Sequence, residues 1–161
     1  MFMKSIQSLC LIQSILMKTD LSNATFIIPI RIESDDRLRN VVTSIAFLVE
    51  NFDTNIIVKE VDKESVFQTE VLPIFEEILE VDLWKNFHHI FERSEEPLFH
   101  RQRVLNEMIA ECETDIVVNY DCDVILPMKS YELAYNGITE GIYDVVYHYG
   151  SGTVSYTHLT M

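Results

Sequence analysis

Cysteine is scarce: three among 161 residues, Cys10, Cys112 and Cys122, an odd number without paired spacing. That argues against a disulfide framework and for a reducing, cytoplasmic compartment. Glycine and proline number four each, too few for a collagen-like or low-complexity chain. No run approaches the roughly 20 apolar residues that a membrane-spanning helix needs. The stretch Met1 to Lys18 is partly apolar, but Gln7, Ser8, Gln13 and Ser14 interrupt it and no small-residue cleavage site follows. It reads as an N-terminal helix or extension over 1–23 and not as a signal peptide. Cations are few as well. Twelve Lys and Arg stand against 26 Asp and Glu, a formal charge of −14. Such a surface repels a duplex, so nucleic acid is not expected as a partner; peripheral contact with a membrane stays open.

What is present suffices for one core, since 48% of the residues are hydrophobic. The β-branched run Thr25-Phe26-Ile27-Ile28-Pro29-Ile30 suits a strand covered on both faces. Ser34-Asp35-Asp36 supplies capping side chains, and Leu38, Val41, Val42, Ile45, Leu48, Val49 and Phe52 follow at helical spacing. Asn55 to Val58 is a second strand, reached through a turn at Asn51-Phe52-Asp53. Val66 to Leu79 reads as a helix that Pro73 either kinks or begins. Phe87 to Phe91 is a third strand, and Val104, Leu105, Met108, Ile109 and Cys112 stripe another helix. Ile116 to Tyr120 and Asp144 to Tyr149 read as two more strands.

Strands alternating with helices define an α/β fold on a mostly parallel sheet. In such sheets, ligands sit outside the carboxyl ends of the strands. The sharpest signal there is Asp121-Cys122-Asp123, directly after the Ile116–Tyr120 strand. In an extended chain, residues i and i+2 point the same way, so the two carboxylates would emerge together. Paired carboxylates of this kind suit Mg²⁺ or Mn²⁺, which take one or two protein ligands and complete their shell from phosphate and water. Arg31, Arg101 and Arg103 stand at strand-to-helix junctions, and forked guanidiniums suit a diphosphate. Glu60 or Asp62, after the second strand, could accept from a base N–H or ribose hydroxyls. His88, His89 and His100 lack metal-ligand spacing and read as structural or solvent-facing; the three Cys read as small hydrophobes.

These segments together resemble GT-A-type nucleotide-sugar glycosyltransferases, which have a Rossmann-like sheet flanked by helices. Thr25 to Arg31 looks like their first nucleotide-binding strand, and Asn55 to Asp62 like the second with its acidic nucleoside contact. Phe99-His100-Arg101-Gln102-Arg103-Val104-Leu105-Asn106, followed by Asp121-Cys122-Asp123-Val124-Ile125-Leu126-Pro127, is similar to a block of the beta-1,4-galactosyltransferase family. Bacterial family 2 polysaccharide glycosyltransferases share much of this plan, and Tyr147-His148-Tyr149-Gly150 resembles a later Tyr-x-Tyr stretch. The likeness covers roughly residues 24–150, and 24–152 would be the nucleotide-sugar-binding part of such a domain.

The resemblance implies metal-dependent transfer of a hexose, galactose-type as first guess, from a UDP-sugar to a hydroxyl of a glycan or lipid-linked glycan. Pro29, Ile30 and Arg31 would flank the nucleotide, with Glu60, or else Asp62, near base or ribose. Arg101 would lie near the donor, Asp123 would ligate Mn²⁺ (or Mg²⁺), and Asp121 would contact the donor or share the metal. The family's catalytic base lies downstream of the metal motif, so none is assigned here. Residues 153–161 look like a translated sequencing adapter, which points to a C-terminally truncated fragment with a non-native tail. Two departures stand out: His100 replaces the family's Asn, and Glu60-Val61-Asp62-Lys63 replaces its Asp-Asp-Gly-Ser. Two other readings use the same letters. One is a Mg²⁺-dependent haloacid-dehalogenase-like phosphatase with Asp121 as nucleophile. The other is a fragment that binds a nucleotide without catalysis.

Overall fold

The computed structural model describes residues 18–78 and 86–147. The chain divides between Ile125 and Leu126 into two compact units. The first unit runs β1 (Thr19–Ile30), α1 (Asp35–Asn51), β2 (Phe52–Asp62), a π-helical turn (Phe67–Val71) continuing into α2 (Leu72–Ile78), β3 (Phe87–Arg93), α3 (Arg101–Ala110) and β4 (Ile116–Asn119). The four strands form one parallel sheet in the order β3-β2-β1-β4, flanked by helices in a Rossmann-like α/β arrangement. The α/β expectation therefore holds.

Strand alternation sorts the side chains onto two faces. Ile27, Ile57 and Val61 point to one face and pack with Val104, Leu105 and Met108 of α3. On the other face, Phe26 stacks against Phe52 and meets Tyr120 edge-on, while Phe47 of α1 packs edge-on against Phe52. Phe67, from the π-helical turn, lies flat against Phe87 and His89 of β3. Ser34 caps α1 by accepting from the Arg37 amide at 3.3 Å, as its position next to two Asp predicts.

Several boundaries differ from the sequence reading. Residues 19–23 are the first part of β1, not helix; residues 1–17 lie outside those described. The register between β1 and β2 shifts between Asp20 and Thr25, where β1 carries extra residues. Asn55 Nδ2 bridges this bulge, donating to the Ser22 and Ala24 carbonyls at 2.9 and 3.2 Å. The expected turn at Asn51-Phe52-Asp53 is instead the direct entry to β2, because Phe52, 2% exposed, is an aromatic core residue. The helix expected over Val66–Leu79 is split: a π-helical turn precedes Leu72, so Pro73 falls in the first turn of α2, where its missing N–H matters least.

In the second unit, α4 (Met128–Thr139) was not expected, and residues 144–147 form no strand. The backbone reverses at Gly141, whose φ of 68° is the left-handed conformation that glycine adopts freely. Of the Tyr-x-Tyr stretch only Tyr147 is described, and it is exposed. Trp84, Cys10 and 153–161 lie outside the described residues. Among the described residues no helix is long and apolar enough to cross a membrane.

Candidate functional site

The strand order places the site. After β3 the chain returns across β2 and β1 and lays β4 on the far side of β1. The direction of winding thus reverses between β1 and β4, and a crevice opens there at the carboxyl ends of the strands. A cavity of about 520 Å³ fills this position, a volume in the range of small-ligand sites. Pro29, Ile30 and Arg31 from the end of β1 line it, as do Arg101 from the start of α3 and Asp121, Cys122 and Asp123 after β4. Six of the nine residues singled out from the sequence meet in one place. Glu33, Arg37, Asn40, Val41 and Phe99 complete the wall.

The acidic pair is presented by a turn and not by a pleat. β4 ends at Asn119, and the Val124 amide donates to the Asp121 carbonyl at 3.3 Å, closing the turn. The expectation that both carboxylates project because of strand alternation is corrected accordingly. From behind, Ser44 of α1 donates to the Cys122 carbonyl at 2.5 Å. The Cys122 side chain turns inward, and burial, helped by the carboxylates on either side, pushes its thiol up to about 12. Without a cation beside it, it is a neutral thiol at physiological pH.

The arginines differ in how firmly they are held. Arg31 is buried: its Nε donates to the Val61 carbonyl at 2.9 Å and its Nη1 to the Pro97 carbonyl at 3.2 Å. Its guanidinium lies 5.6 Å from the centre of the Phe99 ring, a cation–π arrangement. Arg101 is half-exposed and reaches Asp121 Oδ1, with Asn119 Oδ1 at 3.2 Å. Arg103 lines no part of the cavity; Glu92 and Glu107 hold it at 2.7 and 2.8 Å. Arg37 is exposed on the first turn of α1 and makes no ion pair among the described residues. Half of the chain's six arginines therefore face one cavity in a protein of charge −14.

Glu60 and Asp62 are not brought to this cavity. Glu60 shares its sheet face with Ile56 and Val58, is 0% exposed, and accepts from the Phe67 amide at 3.0 Å and the Ser65 hydroxyl at 2.5 Å. His89 Nε2, also buried, lies 3.4 Å from Glu60 Oε2 without a well-formed hydrogen bond. Burial pushes the Glu60 carboxyl up, but His89, Ser65 and the Phe67 amide together outweigh it and hold the group below its usual range. This carboxylate anchors the π-helical turn to the sheet, which corrects its assignment to a base or ribose. Asp62 caps the end of β2, accepting from the Lys63 amide at 2.7 Å.

Among the described residues no three His, Cys, Asp or Glu side chains gather as a metal site. Two carboxylates beside arginines nonetheless fit a hard divalent ion that keeps most of its shell for other oxygen ligands and water. Asp121 and Asp123 are that pair, both exposed toward the cavity. Arg37 and Asn40 were missed from the sequence; their signal is the three-residue spacing that puts both on one face of α1 just after a capped start. No protein-family model, curated protein or solved structure matches this chain.

Proposed function

We propose that the chain is the donor-binding part of a nucleotide-sugar glycosyltransferase that takes a UDP-sugar. One observation carries the reading: three arginines and two aspartates converge on one cavity at the point where the sheet reverses its winding. Arg31, held by two backbone carbonyls and stacked on Phe99, is a fixed cation for a phosphate. Arg37 and Arg101 add two more cations, and Pro29 and Ile30 form the floor against which the nucleoside would rest. Asp123, with Asp121, would hold Mn²⁺ or Mg²⁺, which when bound supplies charge neutralisation for the departing diphosphate. In the transfer, the bond from the anomeric carbon to the diphosphate oxygen breaks. An acceptor hydroxyl bonds to that carbon and gives its proton to a base.

The phosphatase reading is less well supported. Its nucleophile belongs at the end of a domain's first strand, whereas Asp121 follows the edge strand β4. Thermal shift with UDP, with and without Mn²⁺, tests the proposal by mass action. Stabilisation by UDP that grows with Mn²⁺, and is lost in Asp123→Asn, is the expected result. No stabilisation together with hydrolysis of nitrophenyl phosphate overturns it in favour of the phosphatase.

A further inference from the structure

Arg101 and Asp121 both belong to the donor cavity, yet they bind each other. We propose that this pair is an exchange latch. A diphosphate draws Arg101 off Asp121 and thereby releases the carboxylate to a divalent cation, so that diphosphate and metal bind with positive coupling. The inference rests on the nucleotide-sugar reading of the same cavity and adds how its two ligands depend on each other.

Three features support it. First, the contact is made by Asp121 Oδ1, an oxygen that a metal would also need, so guanidinium and cation compete for it. While Arg101 stays, it offsets half of the charge that Asp121 and Asp123 offer a cation. Second, the pair can exchange. Its side chains are 41% and 51% exposed, and ion pairs at such exposure contribute little to stability. The fork of a guanidinium finds a better partner in a phosphate, where two parallel N–H···O bonds form at once. Third, the neighbouring arginines cannot play this part. Arg31 is buried and tied to Val61 and Pro97, and Arg103 is held between Glu92 and Glu107 outside the cavity. Arg101 alone among these three has a site carboxylate as its partner, and Asn119 at the end of β4 steadies it there. Reciprocity then requires that the metal help the diphosphate by the same factor.

The test is Mn²⁺ titration of the full chain followed by electron paramagnetic resonance, with and without UDP. In the native sequence Mn²⁺ alone binds weakly, and saturating UDP tightens it by about tenfold, within the usual span of coupling between sites. Arg101→Gln tightens Mn²⁺ alone by a similar factor and reduces the effect of UDP to what the diphosphate's own ligation of the metal supplies. Arg101→Lys, which keeps charge without the fork, falls between. Asp121→Asn gives the reciprocal result: in metal-free buffer UDP binds more tightly, because Arg101 is free to meet it. The latch is overturned if Arg101→Gln leaves Mn²⁺ binding unchanged or weaker, or if UDP still tightens Mn²⁺ fully in that variant. With UDP binding intact, either result removes the latch and leaves the nucleotide-sugar reading standing. If neither UDP nor Mn²⁺ binds the native sequence, both fall together.

Discussion

The Ser44 hydroxyl in α1 donates to the carbonyl oxygen of Cys122 at 2.5 Å, so a helix that begins beside the cavity also holds the acidic turn in place. Ser44 is 2% exposed, so its hydroxyl is turned away from solvent toward that carbonyl. Replacing it leaves a part-buried carbonyl without its donor.

Ser44→Ala is therefore expected to lower stability by about 1 kcal/mol, the net worth of one part-buried hydrogen bond. Thermal denaturation measures this as a fall of several degrees in Tm. UDP affinity should fall with it, because Asp121 and Asp123 flank the loosened carbonyl. A variant with lowered Tm and unchanged UDP affinity would show that the bond serves stability alone.

Glu60 makes stability depend on acid. Its carboxyl is held below the ordinary value of 4.5 in the folded chain, so its contribution is full above that pH and is lost as pH falls through the folded value. Glu60→Gln should cost about 1–3 kcal/mol at pH 7, since a buried charged acceptor is replaced by an amide. Urea unfolding across pH 3 to 7 should show the gap between native and variant closing below about pH 4.5. A gap that stays constant across this range would contradict the role given to this carboxylate.

Arg31→Lys keeps the charge but removes the fork that grips Val61 and Pro97 and the flat face that rests on Phe99. UDP binding should weaken about tenfold, equivalent to roughly 1.4 kcal/mol, by isothermal titration calorimetry. Amide exchange at residues 94–99 should quicken in the same variant, since Pro97 loses its tether.

Lys59 lies between Glu92 and Glu107 at 3.1 and 2.5 Å, with only 12% of its side chain exposed. Arg103 shares both carboxylates, so Lys59→Met leaves neither of them alone. The expected loss is about 1–2 kcal/mol, below the ~3–5 kcal/mol of a broken isolated buried pair. Adding 0.5 M salt should weaken the native chain more than the variant, read as the shift in urea midpoint.

Much of this fold could be read from the sequence because its strands are apolar runs with nothing else to become. Thr25–Ile30 and Asn55–Val58 have both faces covered, and Ser34 marks the start of α1 unmistakably. The second unit was hidden for the opposite reason. Pro127 at the N-cap of α4 offers no side-chain hydrogen bond, and Asn136 and Gly137 weaken the helical pattern near its end. The acidic pair was found for its composition, although a turn and not the pleat presents it. Glu60 shows why place along the chain does not suffice: strand parity sets it with Ile56 and Val58 on one face of β2, and that face is interior. Arg37 and Asn40 are not legible from the sequence, because polar residues on an exposed first turn look like any solvated helix surface.

The position of β4 next to β1 also bears on how the molecule comes into being. Asn23 and Asp115, bonded across this junction at 3.1 Å, are 92 residues apart. Bringing such distant segments together costs chain entropy before any contact rewards it, whereas β1 to β3 can zip in sequence order. Docking of β4 is thus the expected slow, late event of folding. In a refolding experiment, the ability to capture UDP should emerge with that final phase, after the amides of the other three strands are already protected from exchange.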